Sequence, residues 1–157
     1  MADDHSTLLD VLRFVSGRLV GPKGPFHSIT VLMPTAPLVL AEDLSGAHAL
    51  FDDAAGRRPV LAVTRLPVPV EWAFRRAADG TLSPLASVFL AARSQDLEDA
   101  WYDAGAFAIY APEHLAAGSA IPPWLGHVLP RTRAVDIDTA EDLAMAELLF
   151  RAQRGNA

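Results

Sequence analysis

A layered α/β fold, with a parallel sheet and one arm standing off it, is what this 157-residue sequence predicts. Three observations carry the prediction. Short apolar runs at residues 29–33, 60–63 and 107–110 have the near-continuous hydrophobicity of strands covered on both faces. Stretches of helical periodicity alternate with them. Between the second and third runs the pattern changes to two short segments around Asp79-Gly80, a dipeptide that favours a tight hairpin turn.

Taken in order, the first element is an amphipathic helix. Leu8, Leu9, Val11, Leu12, Phe14, Val15, Leu19 and Val20 recur at helical spacing after Ser6 or Thr7 as cap, and Gly21-Pro22 ends the run. The loop Gly21-Pro22-Lys23-Gly24-Pro25 lacks the length and the Ser/Thr of a phosphate loop and reads as a surface turn. The strand at 29–33 opens into Pro34-Thr35-Ala36-Pro37, whose two prolines fix its path. A helix over 41–55 follows, with Glu42 and Asp43 in its first turn, where the helix dipole favours them. Its cap position holds Leu40, which has no acceptor; relative to Ser or Thr that costs about 1 kcal/mol.

After the strand at 60–63, segments 71–75 and 81–85 form the hairpin of an arm over about 68–92. Its Trp72 and Phe74 require an apolar partner. Gly105 marks a bulge or a close backbone approach at the start of the next strand. A helix is expected from near Pro112, a stiff loop at Ile121-Pro122-Pro123-Trp124, and short strands at 126–129 and 134–137. Thr139, with Asp142 three residues on, caps a final helix that is apolar at Leu143, Met145, Ala146, Leu149 and Phe150. One domain over 1–157 accounts for the whole chain.

Composition excludes several functions. A net charge of −6 with 13 Lys and Arg in no cluster argues against nucleic-acid binding. The absence of cysteine removes disulfides, thiolate chemistry and cysteine-ligated zinc. His5, His27, His48, His114 and His127 show no ligand spacing. The acidic opening has neither the basic nor the apolar part of a signal peptide, and no apolar run reaches the length of a membrane span. The expected compartment is the cytoplasm, with no membrane partner.

Chemistry concentrates in Arg-Ala-Val-Asp-Ile-Asp-Thr-Ala-Glu-Asp, residues 133–142. In a strand, Asp136 and Asp138 project from one side, and like charges so placed need a cation or strong donors to stay ionised. Oxygen-only ligands at a strand-to-helix junction suit Mg2+ or Mn2+ with substrate phosphates. The alternative is that Asp138 is a turn residue and Asp136 pairs with Arg131 or Arg133. Upstream, Arg93 suits a fork onto a carboxylate, and Gln95 both donates and accepts, although such residues beside a loop are also commonly solvated.

Four stretches in register resemble the acylneuraminate cytidylyltransferases: Met33-Pro34-Thr35-Ala36-Pro37-Leu38 with Ala41-Glu42-Asp43, Arg93-Ser94-Gln95-Asp96-Leu97, Asp103-Ala104-Gly105, and Val135 to Asp142. Asp103-Ala104-Gly105 and Ala2-Asp3-Asp4-His5 are similar to the pseudaminic acid branch. The resemblance implies a Rossmann-like parallel sheet of the nucleotide-diphospho-sugar transferase type, lacking the N-terminal CTP-binding portion, with the hairpin as a dimerisation arm. It implies that a nonulosonic acid is activated as its CMP-sugar from CTP. Asp136 and Asp138 would be the catalytic metal ligands for Mg2+ or Mn2+, and Arg93, Gln95, Asp103, Gly105 and Thr35 would bind the sugar. Expected partners are CTP, the acid sugar, and a second copy or a separate chain supplying the missing portion, without which the isolated chain is expected to be nearly inactive. The other reading of the same chain is a non-catalytic binding or assembly module derived from that fold.

Overall fold

The structure is a computed structural model describing residues 6–18, 26–116 and 122–155. Helix α1 (Leu8–Ser16) starts on a reciprocal cap, in which Asp10 N–H donates to Thr7 Oγ1 and Thr7 N–H to the Asp10 carboxylate. It stops at Ser16-Gly17, two poor helix formers, short of the expected Val20. The predicted turn at 21–25, Ala2 to His5 and Ile121 lie outside the described residues.

Strands β1 (Ile29–Leu32), β2 (Val60–Arg65), β5 (Trp101–Tyr110) and β6 (Leu125–Val128) form one sheet in the order β1-β5-β2-β6. Strands β3 (Phe74–Arg76) and β4 (Leu82–Pro84) form a separate hairpin. Its turn is closed by the Ala77 N–H on Thr81 O and the Thr81 N–H on the Asp79 carboxylate, with Gly80 at φ +91°.

The expected parallel sheet needs correction, because β5 runs antiparallel to both β1 and β2, and only β2 and β6 pair in parallel. The connection sets the direction. Arg65 ends β2 opposite Trp101, which begins β5, and the Leu66 N–H donates to Ala100 O at 2.9 Å. The arm is therefore an insertion at the tip of a long hairpin, and a hairpin reverses the strand.

Burial on both faces explains the apolar run that suggested a parallel strand. Phe107 and Ile109 of β5 pack with Ala47 and Phe51 of helix α2 (Ala41–Asp53), while Ala108 and Tyr110 face Leu12 of α1 and Leu115. β1 lies at the sheet edge, and its Leu32 is exposed. The helix expected after Pro112 is a short 3-10 turn, Pro112–Leu115, among the described residues.

A second correction concerns residues 134–137, which form no strand. The chain turns at Pro130, where the Arg133 N–H donates to the proline carbonyl, and then crosses the ends of the strands instead of running beside one. Among the described residues no strand pairs with it. Ala134 N–H donates to Pro130 O at 3.2 Å, and Ile137 N–H to Thr35 O at 2.9 Å. The last helix, α3 (Ala140–Gly155), begins at the predicted cap.

Candidate active site

The carboxyl ends of β1, β2 and β6 and the first half of β5 meet at one edge of the sheet, the position where α/β proteins bind ligands. There β5 bulges. Leu61 faces Ala108 but Val63 faces Asp103, so β5 carries extra residues against β2. Gly105 turns this bulge at φ +62°, and its N–H donates to the Asp103 carboxylate at 2.9 Å. A Cβ at position 105 would collide with the Asp136 carboxylate, which rests directly on the glycine backbone.

Asp136 thus reaches its place by contact with a residue that has no side chain. Its Oδ1 is buried and has no hydrogen-bond partner among the described residues. A carboxylate oxygen in that state is costly unless something outside the chain completes it. Asp136 shares an open cavity of about 560 Å³ with Asp103, Gly105, Asp142, Tyr102 and Met145.

The acids in this cavity differ in how much they have free. Asp142 Oδ2 accepts from the Thr139 N–H and Oγ1 at 2.8 and 2.7 Å, and the hydroxyl and backbone bonds hold its pKa below the ordinary carboxylate value. It serves as a helix cap. Asp103 Oδ1 is engaged by Gly105. Asp138 is exposed, two residues past Asp136, and is absent from the cavity lining; its N–H donates to Asp142. The expected twin projection from a strand is therefore replaced by one inward acid and one at the surface. No group of three or more His, Asp or Glu side chains is arranged to hold a metal among the described residues.

Arg133 does not pair with Asp136. Its guanidinium forks onto Asp43 at 2.7 and 3.0 Å, and Asp43, only 4 % exposed, also accepts the Leu40 N–H at 2.9 Å. Burial raises the Asp43 pKa, but the Arg133 fork and the Leu40 bond outweigh it and leave the carboxyl below its ordinary value. One side chain thereby accepts the N–H of the cap residue Leu40 and, through Arg133, anchors the loop that carries Asp136.

Of the expected sugar ligands, Asp103 and Gly105 line the Asp136 cavity, and Thr35 is tied to the same loop through Ile137. Gln95 lies in a second cavity of about 480 Å³, bounded by Arg65, Leu97, Glu98 and Arg131. Arg93 lines neither; it forks onto Asp96 at 2.9 and 3.3 Å with its side chain 72 % exposed. Sequence reasoning passed over Asp43, Arg65 and Arg131 as site residues. The signal for Asp43 was its place three residues after an uncapped Leu40.

No family model matches the chain. Two curated proteins do, both pseudaminic acid cytidylyltransferases of Campylobacter jejuni subsp. jejuni. The one from serotype O:2 (strain ATCC 700819 / NCTC 11168) is 27 % identical, and the match covers all of this chain and 68 % of that protein. The one from serotype O:23/36 (strain 81-176) is 26 % identical over the same shares. These matches run the length of the chain and support a relationship to the cytidylyltransferases at family level.

Proposed function

We propose that this chain carries the sugar- and metal-binding part of a site that joins a nonulosonic acid of the pseudaminic type to CMP, with CTP as donor. In that reaction the anomeric hydroxyl oxygen attacks the α-phosphorus. The new P–O bond forms as the bond to the β-phosphate bridging oxygen breaks, pyrophosphate leaves, and the hydroxyl proton passes to solvent or a base. The observation that supports the reading best is the buried, unpartnered Asp136 Oδ1 held on Gly105 at the ligand-binding edge of the sheet.

A hard divalent cation fits that oxygen. With one inward acid and one exposed two residues on, the donor set suits Mg2+ or Mn2+, which bind through one or two carboxylates and take the remaining ligands from water and phosphate. Asp136 and Asp138 are the proposed ligands. When bound, the ion supplies positive charge to the phosphates and lowers the pKa of the attacking hydroxyl. Asp103, Gly105, the Thr35 loop and Gln95 line the sugar side, and the Arg93 fork onto Asp96 stiffens the 3-10 turn Ser94–Asp96 that presents Gln95.

Calorimetric titration with Mn2+ tests this. Wild type is expected to bind and Asp136→Asn to lose binding, with Asp138→Asn intermediate; equal binding by wild type and Asp136→Asn overturns the metal assignment.

The arm supports an assembly role beside this chemistry. Phe74, Leu82, Leu85, Val88 and Leu90 are exposed on it, and the buried Trp72 Nε1 and Glu71 Oε2 have no partner among the described residues. A second copy of this chain is the proposed partner.

A further inference from the structure

Resting on the metal reading above, we propose that Asp103 joins Asp136 as a carboxylate ligand of the divalent cation, with one oxygen held by the Gly105 N–H and the other left for the ion.

Charge is the first reason. Three carboxylates, Asp103, Asp136 and Asp142, line the cavity of about 560 Å³, and among the described residues no Lys, Arg or His side chain lines it. Carboxylates gathered without a counter-charge disfavour one another's ionised form unless a cation stands among them. Asp142 is engaged at the helix cap, where the Thr139 N–H and hydroxyl hold its Oδ2. Asp138 is exposed and outside the lining. Asp103 is therefore the acid that shares the cavity with Asp136 and has an oxygen to offer. The resemblance placed Asp103 with the sugar, yet a ligand that is itself a carboxylate would meet uncompensated negative charge there.

Geometry is the second reason, because Gly105 positions both acids at once. Its N–H donates to Asp103 Oδ1 at 2.9 Å, and the Asp136 carboxylate occupies the space that a Cβ at position 105 would take. The bulge in β5 makes this possible: the register with β2 shifts between Leu61 and Val63, and a bulge re-aims the side chains of its strand. Asp103 Oδ2 makes no hydrogen bond or ion pair among the described residues. Asp136 Oδ1, buried and unpartnered among the described residues, is the second open acceptor. Asp136 is partly buried and Asp103 exposed, so the pair gives the ion one inner and one outer oxygen and leaves its other positions to water and phosphate.

The test is Mn2+ calorimetry on wild type, Asp103→Asn, Asp138→Asn and Asp53→Asn. An asparagine oxygen still accepts the Gly105 N–H, so Asp103→Asn removes the charge and keeps the bulge. It is expected to bind Mn2+ about tenfold or more weakly than wild type, and more weakly than Asp138→Asn, at an unchanged urea midpoint. Asp53→Asn removes the same charge at the end of α2, outside the cavity lining, and is expected to bind as wild type does. Proton relaxation at saturating Mn2+ counts the waters bound directly to the ion, and Asp103→Asn is expected to gain about one. The proposal is overturned if Asp103→Asn binds as wild type does, if Asp138→Asn or Asp53→Asn loses as much, if the water count is unchanged, or if wild type binds no Mn2+. Equal binding by wild type and Asp136→Asn overturns the metal reading itself. Loss in Asp136→Asn beside wild-type affinity in Asp103→Asn overturns the Asp103 assignment alone.

Discussion

Gly105 is the residue on which the site closes most tightly, because a left-handed backbone and a carboxylate packed against its Cα both exclude a side chain. The left-handed conformation alone costs an L-residue about 1–2 kcal/mol, and the steric conflict adds to it. Gly105→Ala is therefore expected to destabilise the fold by about 2–4 kcal/mol in urea unfolding. The two contributions separate in a cycle. With Asp136→Ala as the second change, the steric part disappears and the pair should cost less than the sum of its singles by about 1 kcal/mol or more. Strict additivity would show that Asp136 does not rest on the glycine in solution. His127 gives a pH signature at the same scale. Burial lowers its pKa from the ordinary 6.5, with Arg133 acting in the same direction and Asp43 against both. A group depressed on folding stabilises above its unfolded pKa and loses that contribution as pH falls toward the folded value. Stability should thus decline as pH drops through and below the ordinary histidine range, and His127→Gln should flatten that slope in thermal melts.

At the scale of elements, α2 begins without a side-chain acceptor at its cap; Asp43, inside the helix, accepts the Leu40 N–H and leaves the first-turn N–H groups without one. Leu40→Ser adds an acceptor for the first-turn N–H groups while leaving Asp43 on Arg133, so it should stabilise by about 0.5–1 kcal/mol. Arg133→Met should do the opposite, by about 2–4 kcal/mol, since it leaves Asp43 buried with its charge unpaired. The cap of α3 was legible in the sequence because Thr139 and its partner Asp142 lie three residues apart, and Thr7 was one of two caps expected for α1. The Asp43–Arg133 fork spans ninety residues and leaves no local trace. Strand direction was hidden for a related reason. Apolar continuity reports that β5 is covered on both faces, and only the return of the arm to Ala100 fixes which way it enters. Residues 134–137 misled in the other sense: Ala-Val-Asp-Ile has the composition of a strand end, yet the chain crosses the sheet edge where no neighbour offers a ladder. Asp136 was picked out as one of a strand-borne pair, and its seat against Gly105, far back along the chain, left no local trace.

For the whole molecule, the sheet and its two helical faces make a core that the arm does not enter. Among the described residues the hairpin pairs only with itself, and Val88 beside it is 83 % exposed. An isolated two-stranded hairpin is marginal in water and needs a third surface to hold it. The apolar residues on this one are concentrated enough to serve as that surface's counterpart. Association of two copies through their arms would cover Leu82, Leu85 and Val88 together. Sedimentation velocity at micromolar concentration should show a dimer. Because the drive is burial of apolar area and each copy carries a net charge of −6, added salt should leave the dimer intact or tighten it. Leu85→Glu with Val88→Glu should yield monomers of unchanged far-ultraviolet circular dichroism, since neither side chain belongs to the buried core clusters. Wild type that sediments as a monomer would exclude the arm as a self-association surface. A dimer unaffected by both glutamates would move the interface elsewhere, with the exposed edge of β1 the next place to look.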